Sequence, residues 1–391
     1  MSDARDFFGY KRPDDEPGRR DDDGPDDDEL APLQFDEAIT LDDAAVMRRI
    51  DVSNMLGRVR ALPRQLALSR RIVAAAELPA RLGEADAICL LAMGGSAIGG
   101  ELVSGIAGAR LRVPLVVHRD YGLPGWVGER TLVIAASHSG ETIETLSAVA
   151  EARSRGLSPV VIATGGQLGD MAARDRLPFL GYEAPGQPRA AIGFGLGLLH
   201  ELLARVGLLA DPDPLGPAVE SLESVLDRNA PSVETEASPA KQLAWSIFGR
   251  IPVVYGAGAM AAVAHRWKTQ LNENAKAWAV AEPMPEANHN AIEGSLNPRE
   301  LSDAVYVVEL RETNEAPEMA ARYAVVNELL GERATNRSVV WAEGSSALGR
   351  VLTTVALGDL VSVYLAILYQ TDPTPVTLLA MLKQRLARAT D

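Results

Sequence analysis

Thr131-Leu132-Val133-Ile134-Ala135-Ala136-Ser137-His138-Ser139-Gly140-Glu141-Thr142-Ile143-Glu144-Thr145 runs from an apolar, strand-like segment through a small, hydroxyl-rich turn into a helix-like one. A strand that turns directly into a helix leaves backbone N–H groups pointing outward, and the helix dipole favours an anion there. Upstream the same arrangement occurs once already, where Ala87-Ile88-Cys89-Leu90-Leu91-Ala92 leads into Met93-Gly94-Gly95-Ser96-Ala97-Ile98-Gly99-Gly100-Glu101. Neither loop ends in the Gly-Lys-Ser/Thr of a Walker loop, and Ser96 stands where a dinucleotide fingerprint needs its middle glycine. With Ser137, Ser139 and Thr142 and no lysine, the second loop suits a monophosphate held by neutral hydrogen bonds. The pair therefore points to phosphorylated small molecules and away from nucleotide hydrolysis. The bland alternative, tight βα turns with no ligand, fits either loop alone better than it fits both together.

Working outward, strand-like runs at Ile88–Met93, Leu115–His118, Thr131–Ala136 and Val160–Ala163 alternate with helical stretches, which predicts a parallel, helix-covered sheet. Before them, Ile50–Glu77 reads as helical, with Met55, Leu56, Val59, Leu62, Leu66 and Ile72 at helical spacing and Pro63 as a kink or break. Asp211-Pro212-Asp213-Pro214-Leu215-Gly216-Pro217 marks an internal boundary. The pattern then restarts: Pro252–Tyr255 leads into Gly256-Ala257-Gly258 and a long helix, followed by strands at Ala304–Leu310 and Ser338–Ala342 and a helix over Leu348–Gln370. The expectation is an α/β protein of two domains, 41–210 with a leading helix and 218–391, the second a degenerate repeat of the first without the serine.

Composition narrows the class. A chain of 391 residues is long enough for two ordinary domains, and 47% hydrophobic with 23% charged residues is the make-up of a soluble globular protein. Residues 1–30 hold twelve acids and five bases out of a net charge of −15, so 1–40 is expected to be a disordered acidic tail. An acidic chain without a basic stripe argues against nucleic acid. Two apolar stretches, Ala190–Leu209 and Val351–Tyr369, are interrupted by His200, Glu201 and Arg205 and by Asp359, so buried helices are expected and no membrane span. The acidic N-terminus lacks the apolar segment of a secretory signal, and the single Cys89 fits a reduced, cytoplasmic setting. The five histidines, His118, His138, His200, His265 and His289, show no zinc-ligand spacing, so no metal is expected. No G-x-S-x-G elbow is present, which argues against a serine hydrolase.

Two polar segments could carry chemistry. Leu271-Asn272-Glu273-Asn274-Ala275-Lys276 ends the long helix, and His289 lies within Glu286-Ala287-Asn288-His289-Asn290-Ala291-Ile292-Glu293-Gly294. Taken alone, Glu273 is more often a solvated helix-face carboxylate, and His289 leaves packing and site roles equally open.

Gly94-Gly95-Ser96 followed by Ser-x-Ser-Gly-x-Thr resembles the sugar isomerase (SIS) domain, and from about Ile50 to the C-terminus the chain resembles the bifunctional phosphoglucose/phosphomannose isomerases. The resemblance implies two SIS-type domains, each doubly wound in the flavodoxin-like manner. It also implies interconversion of glucose 6-phosphate and mannose 6-phosphate with fructose 6-phosphate through a cis-enediol, with no cofactor. On this basis Ser137, Ser139 and Thr142 hold the phosphate, while Gly94, Gly95 and Ser96 face the sugar. Glu273 is the proton-transfer base, and Arg189, after Pro188, stabilises the enediolate. His289 and Lys383, the latter in Met381-Leu382-Lys383, open the ring. His289 reaches the pocket from the partner subunit, so an obligate homodimer is implied. Thr374 and Thr377, with no amide side chain between Gln370 and Lys383, leave room for either configuration at C2. Glu141 departs from the family's usual neutral residue and should weaken phosphate binding by repulsion unless it points away. The isomerase domain of glucosamine-6-phosphate synthase is similar in its own Ser-x-Ser-Gly-Glu-Thr. Two rival readings stand beside this one: an isomerase of an amino or heptose sugar phosphate, and a non-catalytic phosphosugar-binding regulator.

Overall fold

A computed structural model describes residues 40–298, 303–331 and 336–390. The expected acidic tail, except for Thr40, lies outside the described residues. Three helices lead, α1 (Ala44–Ile50), α2 (Met55–Arg60) and α3 (Leu62–Ala75). The single helical stretch expected over 50–77 is thus broken near its start, because the Asp51 carboxylate accepts the backbone N–H groups of Met55 and Leu56 at 2.6 and 2.9 Å and begins α2 afresh. Pro63 sits in the first turn of α3, where a missing N–H costs nothing.

The first sheet is built from β1 (Ala87–Ala92), α4 (Gly94–Ala107), β2 (Leu115–His118), β3 (Thr131–Ser137), α5 (Ile143–Ser154), β4 (Val160–Ala163), α6 (Gly166–Asp175) and β5 (Phe179–Gly181), and α7 (Ile192–Arg205) closes it. All its strand pairs are parallel, in the order β2-β1-β3-β4-β5. The four expected strands form. The fifth escaped the sequence reading because three residues after a proline carry no period.

The second half runs α8 (Leu215–Arg228), α9 (Pro239–Ile247), β6 (Ile251–Ala257), α10 (Ala259–Asn274), β7 (Val280–Met284), α11 (Ala291–Gly294), β8 (Val305–Arg311), α12 (Pro317–Leu330), β9 (Arg337–Trp341), α13 (Ala347–Leu368) and α14 (Thr377–Thr390). Its parallel sheet, β7-β6-β8-β9, repeats the first four places of the other. β7 was not expected because Glu282 and Pro283 interrupt its apolar pattern, which an edge strand tolerates.

The described residues form one compact unit. α13 is the one described helix long and apolar enough to cross a membrane, and it is almost wholly buried against α8, α9 and α10. α4 packs on α10 so closely that a Cβ added at Gly105 would lie 2.9 Å from the Ala259 Cα. The end of α10 is thereby carried toward the loops of the first sheet.

Candidate active site

In the strand order β2-β1-β3-β4-β5 the chain leaves β1 toward one edge and β3 toward the other. The crevice outside the carboxyl ends of two such strands is where open α/β sheets bind ligands, and both sequence-predicted loops meet there. Gly94 takes φ +48°, a left-handed conformation that suits glycine, as the chain turns into α4. Gly95 faces the Pro188-Arg189 backbone; a Cβ there would lie 3.5 Å from the Arg189 N and the Pro188 O.

The second loop is tied together by its own hydroxyls. Ser137 Oγ lies 2.8 Å from Thr142 Oγ1 and accepts the Gly140 N–H at 3.1 Å, while Ser139 Oγ accepts the Glu141 N–H at 3.1 Å. Glu141 points away from the loop: its Oε1 accepts the Gln167 N–H at 2.8 Å and its Oε2 accepts Gln167 Nε2–H at 2.6 Å. The carboxylate therefore sits on the N-terminus of α6, whose dipole favours it, and the expected repulsion of phosphate is answered by geometry. Thr164 Oγ1 donates to the His138 carbonyl at 2.7 Å and braces the loop from the same side. The His138 ring approaches the Tyr182 hydroxyl at 3.2 Å; burial lowers its pKa, against a bond to the Gly186 backbone. The second loop is thus joined to the segment that carries Arg189.

Arg189 is buried, 2% exposed, in a 3-10 turn over Pro188–Ala191. Its Nη1 lies 3.3 Å from Glu273 Oε2, its Nε donates to Asn274 Oδ1 at 2.5 Å, and its Nη2 donates to the carbonyls of Pro373 and Thr374 at 2.6 and 2.8 Å. Burial pulls the Arg189 pKa down, against the Glu273 carboxylate, which holds it up. Glu273 occupies the last turn of α10 with its side chain 31% exposed, so a ligand can reach it. Beneath them Arg266 Nη2 donates to the Arg189 carbonyl at 2.6 Å and forms a two-point pair with Asp359 at 3.1 and 2.8 Å. Asn274 Nδ2 donates to Ser362 Oγ at 2.9 Å. A partly exposed carboxylate with a buried guanidinium against it can move a proton on a bound anionic molecule and balance the charge that develops. Among the described residues no group of three or more His, Cys, Asp or Glu is placed to hold a metal ion.

Residues 236–386 match the model of the bacterial phospho-glucose isomerase C-terminal SIS domain. A bifunctional phosphoglucose/phosphomannose isomerase of Caldicellulosiruptor bescii is 34% identical over 339 residues, 86% of this chain and 100% of that protein. One from Aquifex aeolicus is 35% identical over 304 residues, 77% of this chain and 90% of that protein. The chain belongs to this family. Among solved structures, a glucose-6-phosphate isomerase like protein from Thermus thermophilus shares the fold, with a TM-score of 0.58 at 21% identity over 87% of this chain and 99% of that one.

Of the residues that the bifunctional phosphoglucose/phosphomannose isomerase resemblance named, Arg189 meets Glu273 at 3.3 Å and Gly95 faces the Pro188-Arg189 backbone, while Ser137, Ser139 and Thr142 share the loop that follows the neighbouring strand β3. His289 and Lys383 are not part of that cluster. His289, itself exposed, ends a 3-10 turn after β7 and makes no side-chain hydrogen bond among the described residues; Lys383 is exposed midway along α14. Three supporting residues escaped the sequence reading. Arg266 and Asn274 share a face of α10, with the buried Gln270 between them at helical spacing. Asp359 is the lone acid of an otherwise largely apolar helix. A polar stripe on one helix and a single acid on its neighbour form a pairing signal that could have been read.

Proposed function

We propose that this chain is an aldose–ketose isomerase that interconverts glucose 6-phosphate and mannose 6-phosphate with fructose 6-phosphate through a cis-enediol. The observation that carries this reading is the buried Arg189 guanidinium 3.3 Å from the Glu273 carboxylate, beside two anion loops. Ser137, Ser139 and Thr142 bind the phosphate with the backbone N–H groups of their loop, and Gly94, Gly95 and Ser96 line the sugar. Glu273 takes the proton from C2 of the open-chain aldose, the electron pair forms the C1–C2 double bond, and O1 becomes an enediolate oxygen. Arg189 balances that charge. Glu273 then returns its proton to C1 while the O2 proton passes to the O1 oxyanion and the C2=O2 bond forms, which leaves the ketose. A carboxylate and a fixed cation suffice for these steps, and no metal or cofactor enters them.

The working enzyme is a cytoplasmic homodimer of two-domain chains, 41–210 and 218–391, in which His289 enters the partner's pocket and opens the ring together with Lys383. The exposure of His289 supports this arrangement. So does α14, which presents Leu378, Leu379 and Leu382 to solvent at 67, 46 and 53%. The deciding experiment follows glucose 6-phosphate and mannose 6-phosphate separately by proton NMR in D₂O with chelator-treated protein. Formation of fructose 6-phosphate, with deuterium at C2 of returned aldose, is expected. No change in either sugar would sink the reading and turn the search to amino or heptose sugar phosphates and to binding without turnover.

A further inference from the structure

We propose that Lys276 is a positioning residue for the proton-transfer base, its ammonium clamping the end of α10 to the turn that precedes α14. The proposal rests on the isomerase reading above, because it takes Glu273 as the base. Lys276 stands just beyond the last turn of α10 at φ +54°, the left-handed conformation that glycine usually fills after a helix. From there its side chain folds back. Nζ donates to the carbonyls of Glu273 and Asn274 at 3.0 and 3.2 Å, two groups that the helix end leaves without intrahelical partners, and to the Asp372 carbonyl at 2.8 Å.

The next two carbonyls of that turn, Pro373 and Thr374, are held by Arg189. Three consecutive carbonyls are therefore gripped by two cations, one from the base's own helix and one from the loop opposite. An ammonium has three donors, and all three of Lys276 are used, so it acts through Glu273 and Arg189 without touching the substrate. The charged groups facing it are Arg189 from the 3-10 turn, Glu273 from its own helix and Asp372 from the turn; partial burial, then Arg189, brings its pKa down to about 8. When the amine loses its proton it loses a donor, and the clamp loosens.

Lys276→Met is expected to lower kcat by roughly tenfold to a hundredfold with KM for the sugar phosphate little changed, since the phosphate loop lies elsewhere. In the wild type kcat should fall on the alkaline side with an apparent pKa near 8. Lys276→Arg, which stays charged, should recover most of the turnover and abolish that limb. Independently of activity, hydrogen–deuterium exchange across residues 371–376 should be faster in Lys276→Met. If that variant matches the wild type in both kcat and exchange, or if Lys276→Arg keeps the alkaline limb, the clamp is wrong. Should Lys276→Met fail to fold, as a melting curve would reveal, the pH profile of Lys276→Arg decides. A wild type without isomerase turnover would remove the functional reading and leave the exchange comparison to judge the clamp alone.

Discussion

Glu273 and Arg189 are 84 positions apart in the chain and meet at 3.3 Å, and the chemistry proposed here depends on that meeting. Glu273→Gln keeps the shape of the side chain and a partner for Arg189 but removes the base. General-base catalysis is worth about 10²–10⁴ in rate, so kcat should drop within that range while titration calorimetry still detects phosphosugar binding. A phosphosugar sensor would give unchanged binding with no turnover to lose. Either residue could be named from its neighbours in sequence, Glu273 from Asn-Glu-Asn-Ala-Lys and Arg189 from the Pro-Arg step. What placed them against each other was Asn274, whose side-chain oxygen takes the Arg189 Nε–H, and Arg266, which holds the Arg189 carbonyl. Neither contact follows from spacing along the chain, because each joins the two halves.

At the level of elements, the hydroxyl-rich loop was legible because a strand, a small-residue turn and a helix start are local features. The orientation of Glu141 was not legible. It depends on α6 beginning beside the loop, and that follows from β4 pairing with β3. A Cβ on Gly140 would lie 2.0 Å from the Gly165 carbonyl, so the two loops are pressed together with no slack. Glu141→Ala should free the start of α6 and loosen the proposed phosphate loop, raising KM about tenfold with kcat nearly constant, as expected when an interaction serves binding alone. Steady-state kinetics with a sugar phosphate check this. A lower KM would mean instead that the carboxylate repels the substrate. Strands β5 and β7 were missed for a related reason: short edge strands need little pattern of their own when a neighbour supplies the register.

For the whole molecule, the buried Arg266–Asp359 pair joins α10 to α13 beneath the active-site cluster. Asp359→Asn leaves the guanidinium's charge without its counter-charge, and breaking a buried pair in this way costs about 3–5 kcal/mol. Denaturant unfolding should register that loss, and turnover should fall with it because Arg266 holds Arg189. Assembly is a second property of this scale. Leu382→Asp puts a charge on the apolar side chains that α14 exposes. If α14 holds the proposed dimer together, analytical ultracentrifugation should then show a monomer, with most turnover gone because the proposed His289 contribution to the partner's site is lost. A variant that stays dimeric and active would place the subunit contact elsewhere.

By itself the sequence determined the alternation of strands and helices, the two small-residue turns from strand into helix, the restart of the pattern in the second half, and the residue types available for proton transfer. Each of these is written in local periodicity or in a short motif. The tertiary structure alone decided that the end of α10 meets the first sheet's loops, that Glu141 turns onto α6, and that Asp359 neutralises Arg266 under the site. The reason is physical. These contacts are made by side chains distant in sequence, and their geometry is set by how α10 packs between α4 and α13, where glycines and small residues let the backbones approach.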